Sequence, residues 1–246
     1  MLVTIITVVY NGQKSIRRTM ESVLNQTYDD IEYIVIDGAS EDGTLDIVRS
    51  FQERFDSAMG RSLRIISERD SGMYDALNKG ARMAHGELVG QINSDDWYEP
   101  NAVETMVGLY KQEKYDVAWG SIRIKAKIKD IIKHARIGRI WTTVGFCHPA
   151  MFSRREILLQ YPYALESMYD DFDYVTCIYR KGLCVKVVDE VIACFSTSGM
   201  SMQKDKGLRE VFRRTNLTYR IYRKYGMSCF YYFPKLIMEM AKYILG

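Results

Sequence analysis

Several features are missing from this sequence, and each absence removes a class of protein. No apolar run reaches the ~18 residues that a conventional transmembrane helix requires, although hydrophobic residues make up 47% of the 246. The start, Met1-Leu2-Val3-Thr4-Ile5, has no charged n-region and runs straight into a strand-like segment, which is not the pattern of a secretory signal. The five cysteines (Cys147, Cys177, Cys184, Cys194, Cys229) are odd in number and form no C-x-x-C pair. They are expected to be reduced thiols in a cytoplasmic protein, without a disulfide framework or a structural zinc site. Neither a P-loop (GxxxxGK before Ser or Thr) nor GxGxxG occurs, which disfavours both familiar modes of phosphate binding. The net charge is only +3, too small for a surface built to hold nucleic acid. Internal repeats and low-complexity segments are absent.

What remains is enough for one large domain with a full core. Val3 to Val9 is a near-continuous β-branched run, the pattern of a strand covered on both faces. It ends at the turn signal Tyr10-Asn11-Gly12. From Lys14 to Gln26, Ile16, Met20, Val23 and Leu24 fall on one helical face. A second buried strand, Ile31 to Ile36, stops at Asp37, and a helix with Leu45, Val48, Phe51 and Phe55 inward follows the small-residue turn from Gly38 to Thr44. In that turn Asp42 reads as a helix cap. Further elements are a strand at Leu63 to Ile66, a helix from about Met73 to Ala84 and a strand from Leu88 to Ile92. Alternating strands and helices imply a parallel sheet with right-handed crossovers.

The stretch Gln91-Ile92-Asn93-Ser94-Asp95-Asp96-Trp97-Tyr98 organises the rest. Each strand of this half ends in polar residues: Asn11, Asp37, then Asp95 with Asp96. Ligands of open α/β sheets bind at the carboxyl ends of the strands, so a nucleotide crevice is expected there. Asp37 is placed to accept hydrogen bonds from a base or ribose, or else it organises its loop. Adjacent carboxylates suit Mg²⁺ or Mn²⁺, which hold substrate phosphates; a loop that starts the next helix is the plainer reading. Arg69, Asn78 and Lys79 lie where they could reach phosphates or sugar hydroxyls. For Lys79 a solvated helix charge is as good an account, and for Asp70 a carboxylate at a helix N-terminus.

The segments Thr4–Asn11, Ser22–Thr27, Ile36–Thr44 and Gly72–Gly80 occur in order, followed by His85-Gly86-Glu87 and Asn93-Ser94-Asp95-Asp96. Together they resemble the bacterial family 2 glycosyltransferases of the colanic-acid and polysaccharide-biosynthesis type, densely over the first hundred residues and loosely to about residue 200. The resemblance implies an α/β fold of the GT-A (Rossmann-like nucleotide-diphospho-sugar transferase) kind, with a mixed, mostly parallel sheet flanked by helices and a C-terminal helical extension. It divides the chain into a transferase domain over 1–203, with a nucleotide-sugar half (1–100) and an acceptor-side half (101–203), and an extension over 204–246. The implied activity is metal-dependent, inverting transfer of a hexosyl or hexosaminyl group from a nucleotide-diphosphate donor, UDP foremost, to a glycan or lipid-linked acceptor. A sugar-1-phosphate nucleotidyltransferase is an alternative, but Tyr10-Asn11-Gly12-Gln13 is a poor substitute for its Gly-rich loop; a non-catalytic membrane-associated scaffold is another. The resemblance makes Asp37 the acid that contacts the nucleoside and Asp95 the Mn²⁺ or Mg²⁺ ligand. Asn93 stands where many relatives carry a further Asp, which leaves one carboxylate fewer at the metal. Asp96 then supports the metal or touches the donor sugar with Ser94 beside it, and the backbone from Thr7 through Val9 to Tyr10 lines the nucleotide pocket.

After residue 100 a helix with Val103, Met106, Val107 and Tyr110 precedes a strand at Asp116 to Trp119. Ser121 to Arg136 alternates Ile122, Ile124, Ala126 and Ile128 with Arg and Lys, a half-solvated hairpin strand without the aromatic interleaving of an RNA site. Phe146 to Phe152 resembles the family's short His-containing strand, with His148 on the donor phosphates or the acceptor. Tyr169-Asp170-Asp171-Phe172-Asp173 precedes a helix and resembles the segment that supplies the catalytic base. Asp171 is the expected base, with Asp170 and Asp173 as alternatives and helix capping as the structural reading. Strands at Cys184 to Val188 and Val191 to Phe195 lead to Ser196–Ser201, where relatives carry a Gly-containing loop near the diphosphate. Residues 206–224 are basic and amphipathic, and 227–245 are aromatic and apolar. They suggest an anionic membrane surface as partner, on the inner face of the cytoplasmic membrane, or packing in a homodimer.

Overall fold

The computed structural model describes residues 1–126, 129–137, 145–196 and 207–245. Strand β1 (Val3–Val9) and strand β2 (Ile31–Asp37) are buried along their whole length, which is why their sequences show no polar alternation. They pair in parallel, from Val3 opposite Ile31 to Val9 opposite Asp37, so both end at the same edge of the sheet. Helix α1 (Ile16–Leu24) buries Ile16, Met20 and Val23 as its spacing requires. The single helix expected after Thr44 is two short ones, α2 (Thr44–Arg49) and α3 (Gln52–Asp56), divided around Ser50 and Phe51. Val48, Phe51 and Phe55 all stay in the core across the break.

Strand β3 (Arg61–Ser67) pairs in parallel with β2. Helix α4 (Met73–Met83) then crosses back to strand β4 (Leu88–Gln91), which pairs in parallel with β1 on its other side. The small residues of α4 do what small residues allow: a Cβ on Gly80 would lie 2.7 Å from Ile6 of β1, so only glycine permits this approach.

The second half changes pattern. The two-residue strand β5 (Trp97–Tyr98) and helix α5 (Ala102–Glu113) lead into β6 (Val117–Lys125), which continues past the expected end at Trp119. Its hairpin partner is β7 (Ile131–Lys133). Strand β8 (Met151–Arg154) is inserted between β4 and β6 and runs antiparallel to both, after a 3-10 turn at His148–Ala150. Helix α6 (Arg155–Gln160) and helix α7 (Asp170–Arg180) follow. The two strands expected after Cys184 are one, β9 (Val185–Ser196), whose register against β6 shifts around Gly120. Among the described residues the sheet runs β3-β2-β1-β4-β8-β6-β9-β5, with β7 on β6. It is the mixed, largely parallel sheet of the expected fold class. Helix α8 (Leu208–Lys224) and helix α9 (Tyr232–Leu245) close the chain. The expected division at 203 falls outside the described residues, and no described helix is long and apolar enough to cross a membrane.

Candidate active site

The carboxyl ends of β1, β2, β3 and β4 share one edge, and the turns leaving them interlock. Asn11 adopts a left-handed conformation (φ 51°), donates its N–H to Ser40 Oγ and accepts the Glu41 N–H on its side-chain oxygen. Ser40 in turn donates both its N–H and its hydroxyl to Asp37, which also accepts the Ser67 hydroxyl at 2.6 Å. Asp37 is fully buried and already holds three donors, two from Ser40 in its own turn and one from Ser67 at the end of β3. Gly38 lies so near Asp70 that a Cβ would sit 2.8 Å from Oδ2, while Tyr10, beside it, is 63% exposed. A Cβ on Gly12 would likewise lie 3.3 Å from Ser94 Oγ, so the β1 turn rests on the loop after β4. Asp42 accepts the Thr44 N–H and hydroxyl at the start of α2, the structural role its position suggested.

Thr7 is buried and accepts the Tyr33 hydroxyl, and Val9 is buried as well, its carbonyl taken by the Gly38 N–H, so neither side chain of this strand end is offered to a ligand. Arg69 is exposed, and Asp70 accepts the Gly72 N–H ahead of α4. Lys79 pairs with Glu68 at 2.9 Å. Asn78 does not face the crevice. Its amide donates to the Tyr163 carbonyl at 2.9 Å and accepts the Tyr163 N–H at 3.0 Å, bracing the loop before α7.

At the end of β4 the environment is dry and unbalanced. Asp96 is 1% exposed; its Oδ1 accepts the Ser196 N–H at 2.8 Å, while Oδ2 has no partner among the described residues. Burial, reinforced by the charge of Asp95 and opposed by that N–H, pushes the Asp96 carboxyl up to about 8. Burial raises Asp95 as well. Gln91 Nε2, Asn93 Oδ1, the Tyr98 hydroxyl and both ring nitrogens of His148 are also buried without a partner among the described residues. Buried polar atoms are ordinarily bonded, so the orphans on Gln91, Asn93 and Asp96, at and just after the end of β4, mark a place built for something else.

Three acids open α7, and the structure separates them. Asp170 accepts the N–H groups of Glu166 and Ser167 and so caps its own loop. Asp173 is paired with Lys224 of α8 at 2.8 Å. Among the described residues Asp171 accepts only the adjacent Phe172 N–H, and its Oδ2 stands 3.9 Å from His148 Nδ1. Burial lowers the His148 pKa, with the Asp171 charge pulling the other way, which favours a neutral ring. The loop before α7 is linked to β4 through Tyr163, which packs on Tyr174 of α7 at 5.2 Å and donates its hydroxyl to Gln91. Sequence reasoning missed Gln91 and Tyr163, since no spacing rule joins residues so far apart in the chain. The loop expected over Ser196–Ser201 lies outside the described residues beyond Ser196.

Asp95, Asp96 Oδ2 and Asn93 Oδ1 form a set of hard oxygen donors, and a cation there would offset the cost of the buried carboxyl. Among the described residues no three or more His, Cys, Asp or Glu could enclose a metal by themselves. Such a site fits Mg²⁺ or Mn²⁺, which are held by one or two carboxylates and completed by phosphates and water.

Positions 4–170 match the model of glycosyl transferase family 2. The chondroitin synthase of Escherichia coli is 38% identical over 112 residues, which cover 46% of this chain and 16% of the synthase. The chain spans less than a third of the length of several curated relatives it matches, 29% in one and 16% in two others. Staphylococcus aureus TarS 1–349 in complex with UDP-GlcNAc superimposes with a TM-score of 0.67 at 17% identity, covering 98% of this chain and 72% of that one. The mannosyltransferase PcManGT of Pyrobaculum calidifontis, in complex with GDP-Man and Mn²⁺, gives 0.67 at 20% identity, covering 96% and 68%.

Proposed function

The chain belongs to glycosyl transferase family 2 and is a glycosyltransferase, and from that premise we propose that it transfers a sugar from a nucleotide-diphosphate donor to a hydroxyl of a glycan or lipid-linked acceptor in surface-polysaccharide synthesis. The donor is a UDP-sugar, the reaction is metal-dependent, and the anomeric configuration inverts. The observation that carries this reading is the set of orphaned polar atoms on Gln91, Asn93 and Asp96 after β4, together with His148, whose ring stands 3.9 Å from an Asp171 carboxylate that has no side-chain hydrogen-bond partner among the described residues.

In this reading the nucleoside lies over the ends of β1 and β2, against the backbone from Val9 to Asn11, with Tyr10, Asp37, Arg69 and Asp70 around it. Asp95 is the metal ligand, with Asn93 and Asp96 beside it. When bound, the metal supplies charge neutralisation on the departing nucleoside diphosphate, in place of a general acid. Asp171 accepts the proton of the acceptor hydroxyl while that oxygen bonds to the anomeric carbon and the bond to the diphosphate breaks. Neutral His148 offers a ring N–H toward either the acceptor oxygen or Asp171, and Tyr163 fixes the distance between the α7 turn and β4.

Thermal melts of the purified chain against a panel of nucleotide sugars, with and without Mn²⁺, test this directly. A true donor near a hundred times its dissociation constant should stabilise by about 2.7 kcal/mol, a rise of several degrees that depends on Mn²⁺. If no nucleotide sugar shifts the melt or is hydrolysed with Mn²⁺ present, the reading fails.

A further inference from the structure

Helix α9 is inside out. Lys235 and Glu239, one turn apart, are each 4% exposed and pair with one another at 3.0 Å, with the Lys235 ammonium over the Tyr169 ring at 5.9 Å. Phe233 (62% exposed), Ile237 (67%) and Ile244 (72%) face outward, and Phe230 just before the helix is 75% exposed. The spacing from Phe233 to Ile237 to Ile244, with exposed Ala241 between, places them on one face. Monomeric soluble proteins seldom expose a contiguous apolar face while burying the charges of the same helix.

Helix α8 supplies the charge beside it. Arg209, Arg213, Arg220, Arg223 and Lys224 are all exposed. The described residues from 207 onward contain two acids: Glu239 is buried, and Glu210 is bonded to Arg213 and Arg214. Arg213 is engaged by Glu210 and Lys224 by Asp173, so the pair of helices shows its surroundings apolar side chains and the charges of Arg209, Arg220 and Arg223, which have no acidic partner among the described residues.

We propose that α8 and α9 dock on an anionic lipid surface, with the outer face of α9 in the headgroup boundary and the α8 cations on the phosphates. A second copy of the chain is the weaker occupant, because a symmetric contact would set the same basic helices against each other. The docking deepens the transfer reading and rests on it only in naming a lipid-borne acceptor. Lys224 holds Asp173 of α7, and Arg213 donates to Met168 Sδ at 3.3 Å, so the surface is tied on both sides of Asp171. An acceptor anchored in that lipid would meet the base without leaving the membrane.

The test is flotation of the full chain with vesicles of phosphatidylglycerol in phosphatidylcholine, against phosphatidylcholine alone, without any nucleotide sugar. The chain should float with the anionic vesicles and be released by added salt. Ile237→Glu should weaken flotation at least about tenfold, and Arg220→Gln with Arg223→Gln by roughly ten- to thirtyfold, each with an unchanged circular dichroism spectrum. Failure of the folded chain to float with anionic vesicles overturns the proposal, as does equal flotation of wild type and both variants. A concentration-dependent dimer in light scattering that Ile237→Glu dissociates overturns it in favour of a second copy. Because no donor is present, a negative result leaves the donor-dependent melts to judge the transfer reading separately.

Discussion

The distinction among Asp170, Asp171 and Asp173 rests on what each carboxylate already holds. Asp170 and Asp173 have partners that account for them as structure, and Asp171 has a backbone contact and a histidine. Replacing Asp171 with Asn keeps the shape and removes the basicity. Turnover should fall by about two to four orders of magnitude, while the Mn²⁺-dependent donor shift in the melt persists. Unchanged turnover would remove Asp171 from the reaction. His148 gives a second measurement at this scale. Its folded pKa lies below the unfolded value of about 6.5, so between those two values the unfolded chain binds more protons and stability rises with pH. Melts below pH ~6.5 should therefore fall relative to neutral pH in the wild type and fall less in His148→Gln. An identical decline in both would mean the histidine is not held neutral.

Single residues were legible in the sequence where position alone gives them meaning. Asp37 ends one buried strand, Asp95 follows another and Asp171 opens a helix, so their places in the fold could be read from their neighbours in the chain, while the roles expected of them came from the family resemblance. Asn78 could not: its helix start looked ready for phosphates, yet its amide is used on Tyr163, eighty-five positions away. The pairing of Tyr163 with Gln91 is hidden for the same reason.

Among the elements, β1 and β2 could be read because a strand covered on both faces writes itself as an unbroken apolar run. Strands β5 and β8 are short and inserted beside partners distant in sequence, and the unity of β9 depends on β6 absorbing a register shift. Helix α9 defeats the ordinary rule, since a reading that turns charge outward cannot foresee Lys235 and Glu239 inside. One buried link does join elements in a testable way. Glu32 on β2 accepts the Thr4 hydroxyl from β1 at 2.5 Å, and the His85 N–H before β4 at 2.8 Å, with the His85 ring at 2.6 Å. Burial alone would raise its pKa, but these donors together lower it below the usual 4.5. The stabilisation is thus present above that value and lost as pH falls through the lower, folded one. Glu32→Gln should cost about 1–3 kcal/mol in urea unfolding at neutral pH and flatten the acid limb of the stability curve. A variant that unfolds with the wild-type acid limb would show that Glu32 is not a source of it.

For the whole molecule, the open matter is whether the C-terminal helices and the transferase sheet form one cooperative body. The contact that decides it is Lys224 with Asp173, because Asp173 is 6% exposed, carries a second oxygen without a hydrogen-bond partner among the described residues, and belongs to the helix of the candidate base. Removing one member of a buried pair leaves the other charge uncompensated, and the cost can reach about 3–5 kcal/mol. Lys224 is 41% exposed, so solvent screens the contact and about 1–2 kcal/mol is the expectation for Lys224→Met. Asp173→Asn should relieve the orphaned charge, so the double variant should be more stable than the sum of the single changes predicts. If α8 and α9 are integral, all three variants will melt in one transition at shifted temperatures, with circular dichroism and tryptophan fluorescence coincident. If they are a separate unit, Lys224→Met will split the melt, with helical signal lost first and Trp119 fluorescence, deep in the sheet core, following later. Cooperative melting would mean that α8 and α9 move with α7 as one body through contacts such as Lys224 with Asp173, and that is the condition under which a lipid surface held against the two helices can position the carboxylate at the start of α7.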